Sequence, residues 1–150
     1  MSLATIINAA AGMGEVVDAF DENNLRANIC RESFFYFVKE FWDILIPETP
    51  VWNWHIEELC RELQTMAERV FRGEDKAYDL IVNIPPGTTK STIVSIMFPV
   101  WVWTRMPTAR FICGSYADDL ALDLSRKSRD VVQSERYMHA FPDIKIRDDQ

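Results

Sequence analysis

The chain has 150 residues, of which 48% are hydrophobic and 12% aromatic, so it can bury a core and is too apolar to be largely disordered. Its net charge of -7 argues against a broad nucleic-acid-binding surface, although a local basic helix can still touch DNA. Three widely spaced cysteines without CxxC spacing indicate buried free thiols in a reducing compartment. The sequence has no recognisable export signal and no apolar stretch long enough to cross a membrane, so it predicts a cytoplasmic protein.

Helical periodicity dominates the first half of the chain. Between Leu25 and Leu45, apolar side chains recur three or four residues apart, which predicts helix with a strongly aromatic buried face. Two prolines then turn the chain. A second helix is predicted to run up to Arg72, because Gly73 is a typical residue just beyond a helix C-terminus.

The stretch from Asp79 to Thr92 reads DLIVNIPPGTTKST. The β-branched, apolar run Leu80–Ile84 predicts a strand buried on both faces. A Pro-Pro-Gly break follows, and then Lys90 and Ser91 open a long apolar segment that predicts a buried helix. This order is typical of a phosphate-binding loop, in which backbone N–H groups face phosphates, a lysine neutralises their charge and a hydroxyl ligates Mg²⁺.

The loop departs from the standard pattern G-x-x-x-x-G-K-[ST] at both glycine positions, which hold Ile84 and Thr89. Gly87, inside the loop, is the one residue with an unrestricted backbone. A threonine at position 89 fits the loop if its φ is negative. From the pattern alone, a Pro-Gly turn that joins a buried strand to a buried helix is an equal alternative.

Strand and helix are expected to alternate after the loop. Pro99 lies inside the apolar helix and should kink or interrupt it. Residues 110–115 predict a second strand, which would be parallel to the first through a right-handed crossover. Residues 116–133 predict a charged helix. The expected fold class is therefore α/β, with helices flanking a parallel sheet.

The residues from PPGTTKST through the following apolar run, together with RFICGSY and the DLA of the next helix, resemble the ATPase motor of large terminase subunits. These are the DNA-packaging proteins of tailed bacteriophages. The resemblance extends from about residue 52 to residue 142. It implies a P-loop NTPase-like parallel sheet with flanking helices and an incomplete, truncated core. Residues 1–50 would form an N-terminal helical region, and residues 51–150 the N-terminal half of the ATPase domain.

The resemblance also implies an activity and partners. In that family the intact protein uses ATP hydrolysis to translocate double-stranded DNA into the procapsid, and a separate nuclease domain cuts the DNA. The implied cofactors are ATP and Mg²⁺. The implied partners are the portal protein, the small terminase subunit and further copies in a homo-oligomeric ring, with no membrane, in the cytoplasm of a bacterial host.

Site residues follow from the resemblance and from the loop pattern. Lys90 is the expected catalytic cation and Ser91 the expected Mg²⁺ ligand. Trp52 and His55 are expected at the adenine, with core packing and a helix start as the alternatives. The residues expected around the nucleotide phosphates are Pro86, Gly87, Thr88, Thr89, Lys90, Ser91 and Thr92. The best arginine-finger positions are Arg126 and Arg129, for which a salt-bridged surface is the alternative.

A working motor also needs strand-borne carboxylates that position the metal and activate water. Asp79, Asp118–Asp119 and Asp148–Asp149 do not have that form, so the chain is expected to be a fragment that does not hydrolyse ATP alone. Two other interpretations stay open. One is a helicase-like P-loop ATPase fragment, and the other is a non-catalytic assembly module with a degenerate loop.

Overall fold

A computed structural model describes residues 22–48, 50–85 and 87–144, and these residues form six α-helices and one π-helical turn. The elements are α1 Glu22–Glu32, α2 Phe34–Leu45, α3 Trp54–Phe71, the π-helical turn Thr92–Met97, α4 Phe98–Arg105, α5 Asp118–Gln133 and α6 Glu135–Ala140. None of the helices in this part of the chain is both long and apolar enough to cross a membrane.

The helical prediction for the first half of the chain is confirmed, with one break. Ser33 separates α1 from α2 because its backbone is extended (φ -133°, ψ 112°) and its Oγ accepts a hydrogen bond from Tyr36 N at 3.4 Å. Farther on, α3 ends at Phe71 and Gly73 adopts φ 71°, as its position predicted.

An aromatic cluster forms the centre of the core. The Phe34 ring lies 5.1 Å from the Trp101 ring, which joins α2 to α4. Phe41 lies 5.7 Å from Tyr137, which joins α2 to α6. Pairs of this kind contribute about 0.5–1.5 kcal/mol each beyond the burial of their area. All four side chains are buried, so helices distant in sequence share one hydrophobic core.

The apolar segment after the loop is a buried helix, as predicted. It starts at Lys90 and widens into the π-helical turn, where Phe98 N bonds to the carbonyl of Ile93, five residues back. Pro99 follows at once. Proline has no N–H and its ring crowds the carbonyl four residues earlier, so a wider turn ahead of it relieves the clash. The helix continues through Pro99 to Arg105, so no break occurs there, and the alternative of a kink stays a prediction.

The predicted α/β class, a P-loop NTPase-like parallel sheet, is wrong for the described residues, which include no strand. Leu80–Ile84 and Phe111–Ser115 form neither helix nor strand, and within this part of the chain no backbone hydrogen bond involves either segment. A strand exists only when a partner bonds its N–H and C=O groups. Burial on both faces also fails, since Ile81 is 89% exposed and Ile112 fully exposed. Leu80 and Val82 pack on the helical core, and Phe111 contacts the rings of Phe98 and Trp103.

Candidate phosphate-binding loop

The predicted phosphate loop is a tight turn that leads directly into a helix. The Oγ1 of Thr88 donates to the carbonyl of Pro85 at 2.7 Å and so closes the turn from within. The carbonyl of Thr89 accepts from Ile93 N at 3.0 Å, which is the first hydrogen bond of the helix. Pro86, one of the predicted contacts, lies outside the described residues. The loop is thus preformed by its own hydrogen bonds.

The start of this helix provides free donors next to a cation. The N–H groups of Lys90, Ser91 and Thr92 belong to the first turn, where a helix has no internal acceptors for them. Lys90 is half-buried and forms no ion pair with any other residue in the described ranges, and Ser91 is exposed. Backbone donors, a positive dipole end and an uncompensated ammonium group together favour an anion.

The backbone at Thr89 is left-handed. Its φ is 63°, and it is the one non-glycine residue with positive φ among the described residues. Gly87 has φ 79°. The condition under which a threonine fits this position, a negative φ, is therefore not met. The left-handed region is strained for a β-branched residue, and the standard pattern places a glycine there. The missing glycine at position 89 is the sequence signal for this strain. The backbone there has the left-handed conformation that a glycine adopts freely, although the residue is a threonine.

The two residues predicted at the adenine lie in different surroundings. Trp52 packs edge-to-face on Trp42 at 5.3 Å and on Phe35 at 5.8 Å, so its ring belongs to the margin of the core. His55 is the second residue of α3 and is half-buried. In the described part of the chain no ring contact or hydrogen bond joins either residue to the loop. The structure therefore does not bring them together with Lys90.

The two candidate arginines also differ from each other. Arg126 and Arg129 are both exposed on α5, and neither forms an ion pair with a described residue, whereas Lys127 pairs with Asp123 at 2.7 Å. Arg129 lines a cleft of about 590 Å³ that also reaches Ser95, on the helix that begins at Lys90. Arg126 does not line this cleft. Sequence patterns do not indicate the cleft, because its walls come from segments far apart in the chain.

Carboxylates suited to metal chemistry are not gathered in the described ranges, where no group of three or more His, Cys, Asp or Glu side chains could hold a metal ion. Asp79 is exposed and hydrogen-bonded to Lys76 at 2.5 Å, which lowers the pKa of its carboxyl group. The exposed Ser91 hydroxyl fits Mg²⁺, which usually takes few protein ligands and completes its octahedron with phosphate oxygens and water.

A scan against protein-family models, a search of curated proteins and a search of solved structures each gave no match to the chain.

Proposed function

We propose that this chain is the ATP-binding segment of a phage or prophage terminase large subunit, and that residues 87–92 bind the phosphates of ATP. In the intact protein, hydrolysis of that ATP would drive DNA into the procapsid. The proposal depends on the loop and its motif and requires no parallel sheet among the described residues.

One observation carries the proposal: the left-handed backbone at Gly87 and Thr89 leads straight into a helix whose first residue is Lys90. Gly87 and Thr89 both lie in the left-handed region, and backbone of this kind beside a helix start can turn successive N–H groups toward an anion. A plain Pro-Gly turn between two elements needs one such residue. The second positive φ, at the strained Thr89, is explained if the turn must hold a ligand.

The roles of the residues follow from their chemistry. The N–H groups at the helix start and the Lys90 ammonium group bind and orient the β- and γ-phosphate oxygens. Mg²⁺, when bound with ATP, neutralises charge on those oxygens, and the Ser91 hydroxyl is the protein ligand that would hold it. Arg129 lines a cleft with Ser95, but none of residues 87–92 lines that cleft, so no role at the phosphates is assigned to either arginine.

Calorimetric titration with Mg-ATP tests the proposal. Lys90→Ala removes one charge-assisted contact, worth about 1.5–3 kcal/mol, so affinity should fall by roughly ten- to a hundredfold. Lys127→Ala is the matched control, because it removes an equal charge from an exposed Lys127–Asp123 pair. Equal affinity of the wild type and Lys90→Ala would refute the phosphate assignment.

Binding without turnover is expected for the isolated chain. The described residues include no group of three or more His, Cys, Asp or Glu side chains that could hold a metal ion, so we expect none of them to position or deprotonate the attacking water. A steady-state phosphate-release assay should therefore stay at the level of the Lys90→Ala variant. Turnover that disappears in Lys90→Ala would mean that carboxylates of this chain do act on water.

A second candidate function, a non-catalytic assembly module, is favoured by a different observation. The buried aromatic core packs α2, α4 and α6 together without any contribution from the loop. Such a module can keep its fold while the loop loses its ligand. The same calorimetric titration separates the two functions, because a degenerate loop has no Mg²⁺-dependent affinity for ATP in either the wild type or Lys90→Ala.

A further inference from the structure

The segment between α4 and α5 presents apolar side chains to solvent. Within the described part of the chain, no backbone hydrogen bond involves residues 110–116. Ile112 is fully exposed, and Tyr116, at a bend before α5, is 95% exposed. A backbone that is neither helical nor paired, beside exposed apolar side chains, can pair with another strand.

The segment is fixed to the helical core, so its free face is preformed. The Phe111 ring packs edge-to-face on Phe98 at 6.1 Å and on Trp103 at 6.0 Å. Just before it, the carbonyl of Ala109 accepts a hydrogen bond from the Trp103 Nε1 at 3.0 Å. Phe111 and Cys113 line the cleft, whereas Arg110, Ile112 and Tyr116 do not line it and are exposed.

The two ends of the segment carry opposite charge. Arg110 stands at its start, and Asp118 and Asp119 follow two and three residues after Tyr116. All three charged side chains are exposed and none forms an ion pair with another described residue. A segment with a cation at one end and carboxylates at the other is complementary to itself when two copies run antiparallel.

We propose that a second copy of this chain pairs antiparallel along residues 110–116, about a two-fold axis at Cys113. In this register Arg110 lies opposite the partner's Tyr116, whose ring can accept the guanidinium face, and near the partner's Asp118. Ile112 lies opposite the partner's Gly114. A Cβ atom at residue 114 would have no heavy atom of its own chain within 4 Å, so there is room for the Ile112 side chain. The two Ile112 side chains are then diagonal neighbours across the axis.

A second copy satisfies both ends of the segment at once, which is why it is favoured over a foreign strand. A purely acidic partner would pair with Arg110 but repel Asp118 and Asp119, and a basic partner would do the reverse. The self-pair also requires neither ATP nor the loop, so it stands independently of the proposed nucleotide site.

Sedimentation velocity over a dilution series of the whole chain tests the pairing. The wild type should pass from monomer to dimer as concentration rises, and Ile112→Lys should stay monomeric because it places two ammonium groups across the axis. Ile81→Lys is the matched control, an isoleucine of similar exposure on the other unpaired segment, and it should dimerise like the wild type. A wild type that is monomeric throughout, or a dimer unaffected by Ile112→Lys, would overturn the proposal.

Charge exchange tests the register and remains informative if Ile112→Lys fails to fold. Arg110→Asp should weaken dimerisation by about tenfold, since it places like charges together at both ends of the pair. Adding Asp118→Arg and Asp119→Arg to Arg110→Asp should restore it. Failure of the triple variant to recover would contradict an antiparallel self-pair.

Disulfide trapping locates the axis. With the oxidant diamide, two thiols lose two protons and two electrons and form one disulfide. Cys113 is exposed, whereas Cys30 and Cys60 are buried, and burial raises the pKa of both thiols to about 12. The wild type should therefore give a covalent dimer at Cys113, and Cys113→Ser should dimerise without it. A wild-type dimer in sedimentation that diamide does not trap would exclude the proposed register.

Discussion

The indole Nε1 of Trp101 donates a hydrogen bond to the backbone carbonyl of Cys30 at 2.9 Å. In an uninterrupted helix that carbonyl would accept from Phe34 N, but Ser33 ends α1 and Phe34 N bonds instead to the side chain of Gln64. The C-terminal carbonyls of α1 are thus satisfied by side chains from α4 and α3. The bend between α1 and α2 is held by contacts distant in sequence.

Trp101→Phe should lower the free energy of unfolding by about 1–3 kcal/mol from the hydrogen bond alone, because it leaves the Cys30 carbonyl buried without a partner. The smaller ring also leaves a void, which adds to the loss. Urea unfolding followed by circular dichroism measures it. Trp54→Phe is the control, since Trp54 is 80% exposed, and its effect should stay within about 0.5 kcal/mol. Similar losses in both variants would contradict this role for Trp101.

Gln64 bridges both sides of the same bend. Its Nε2 donates to the carbonyl of Glu32 at 2.8 Å, and its Oε1 accepts from Phe34 N at 2.9 Å. Gln64→Met keeps the side-chain length and removes both hydrogen bonds, so we expect a loss of about 1–3 kcal/mol in the free energy of unfolding. Gln133→Met, at an exposed position, is the control for the same exchange. If Gln64→Met proves as stable as wild type, water bonds Phe34 N and the Glu32 carbonyl as well as Gln64 does.

Arg105 joins α4 to α3 through charge and ring stacking. Its guanidinium carbon lies 4.5 Å from the centre of the Phe71 ring, and its Nη2 lies 3.3 Å from Glu68 Oε2. Lysine keeps the charge but not the planar fork, so Arg105→Lys should destabilise by about 1 kcal/mol in chemical denaturation. Arg72→Lys, in a half-exposed pair with Glu74 that no ring among the described residues covers, should cause no measurable change. Equal behaviour of the two variants would show that stacking on Phe71 contributes nothing.

The pair formed by Asp43 and Arg136 predicts a pH dependence. Arg136 donates to both carboxylate oxygens, at 2.6 and 2.9 Å, and these hydrogen bonds hold the pKa of Asp43 below its usual value. A lowered folded-state pKa stabilises the protein above the unfolded-state pKa of about 3.9, and that contribution is lost as pH falls through the folded value. Solvent screens this half-exposed pair, so its worth is at most about 1 kcal/mol.

Urea unfolding of wild type and Asp43→Asn at a series of pH values measures this contribution. The wild type should be more stable at pH 7, and the difference should close in acid once Asp43 is protonated. Asp123→Asn, which removes a carboxylate paired within α5 alone, is the control. A difference between wild type and Asp43→Asn that persists unchanged in acid would mean that ionisation of Asp43 is not its source.

Local signals explain what could be predicted from the sequence. The spacing of Phe34, Phe37 and Phe41 is enough to specify an amphipathic helix, and a glycine after α3 is enough to end it. The Pro-Pro-Gly break likewise predicts that a helix starts near Lys90. The break at Ser33 does not, because serine is tolerated inside helices and its role as a cap depends on Trp101 and Gln64, which are far away in the chain.

The features that could not be predicted depend on contacts between residues far apart in the chain. The apolar run Leu80–Ile84 has the composition of a buried strand, but composition does not state whether a neighbouring strand is present to bond it. The resemblance predicts Trp52 at the adenine, but its contacts with Trp42 and Phe35 depend on how α2 and α3 pack. The φ of Thr89 likewise depends on the closed turn from Pro85 and not on threonine's own preference.

Thr89→Gly should improve the loop. A β-branched residue at φ 63° costs about 1–2 kcal/mol relative to glycine, which adopts this region freely. The variant should therefore gain up to about 1 kcal/mol in the free energy of unfolding, part of the relief being offset by the entropy that glycine adds to the unfolded chain. If the loop binds phosphate, removing the side chain beside the N–H donors should also tighten Mg-ATP in calorimetry.

Thr88→Gly is the matched control for that prediction. Thr88 is the preceding threonine of the same turn, it lacks the positive φ, and its Oγ1 closes the loop onto Pro85. Glycine there removes a hydrogen bond and adds unfolded-state entropy without relieving strain, so it should destabilise the protein and weaken any Mg-ATP binding. Opposite signs for these adjacent substitutions are expected because backbone conformation, and not threonine content, limits the loop. Destabilisation by both would mean that Thr89 makes contacts worth more than its strain.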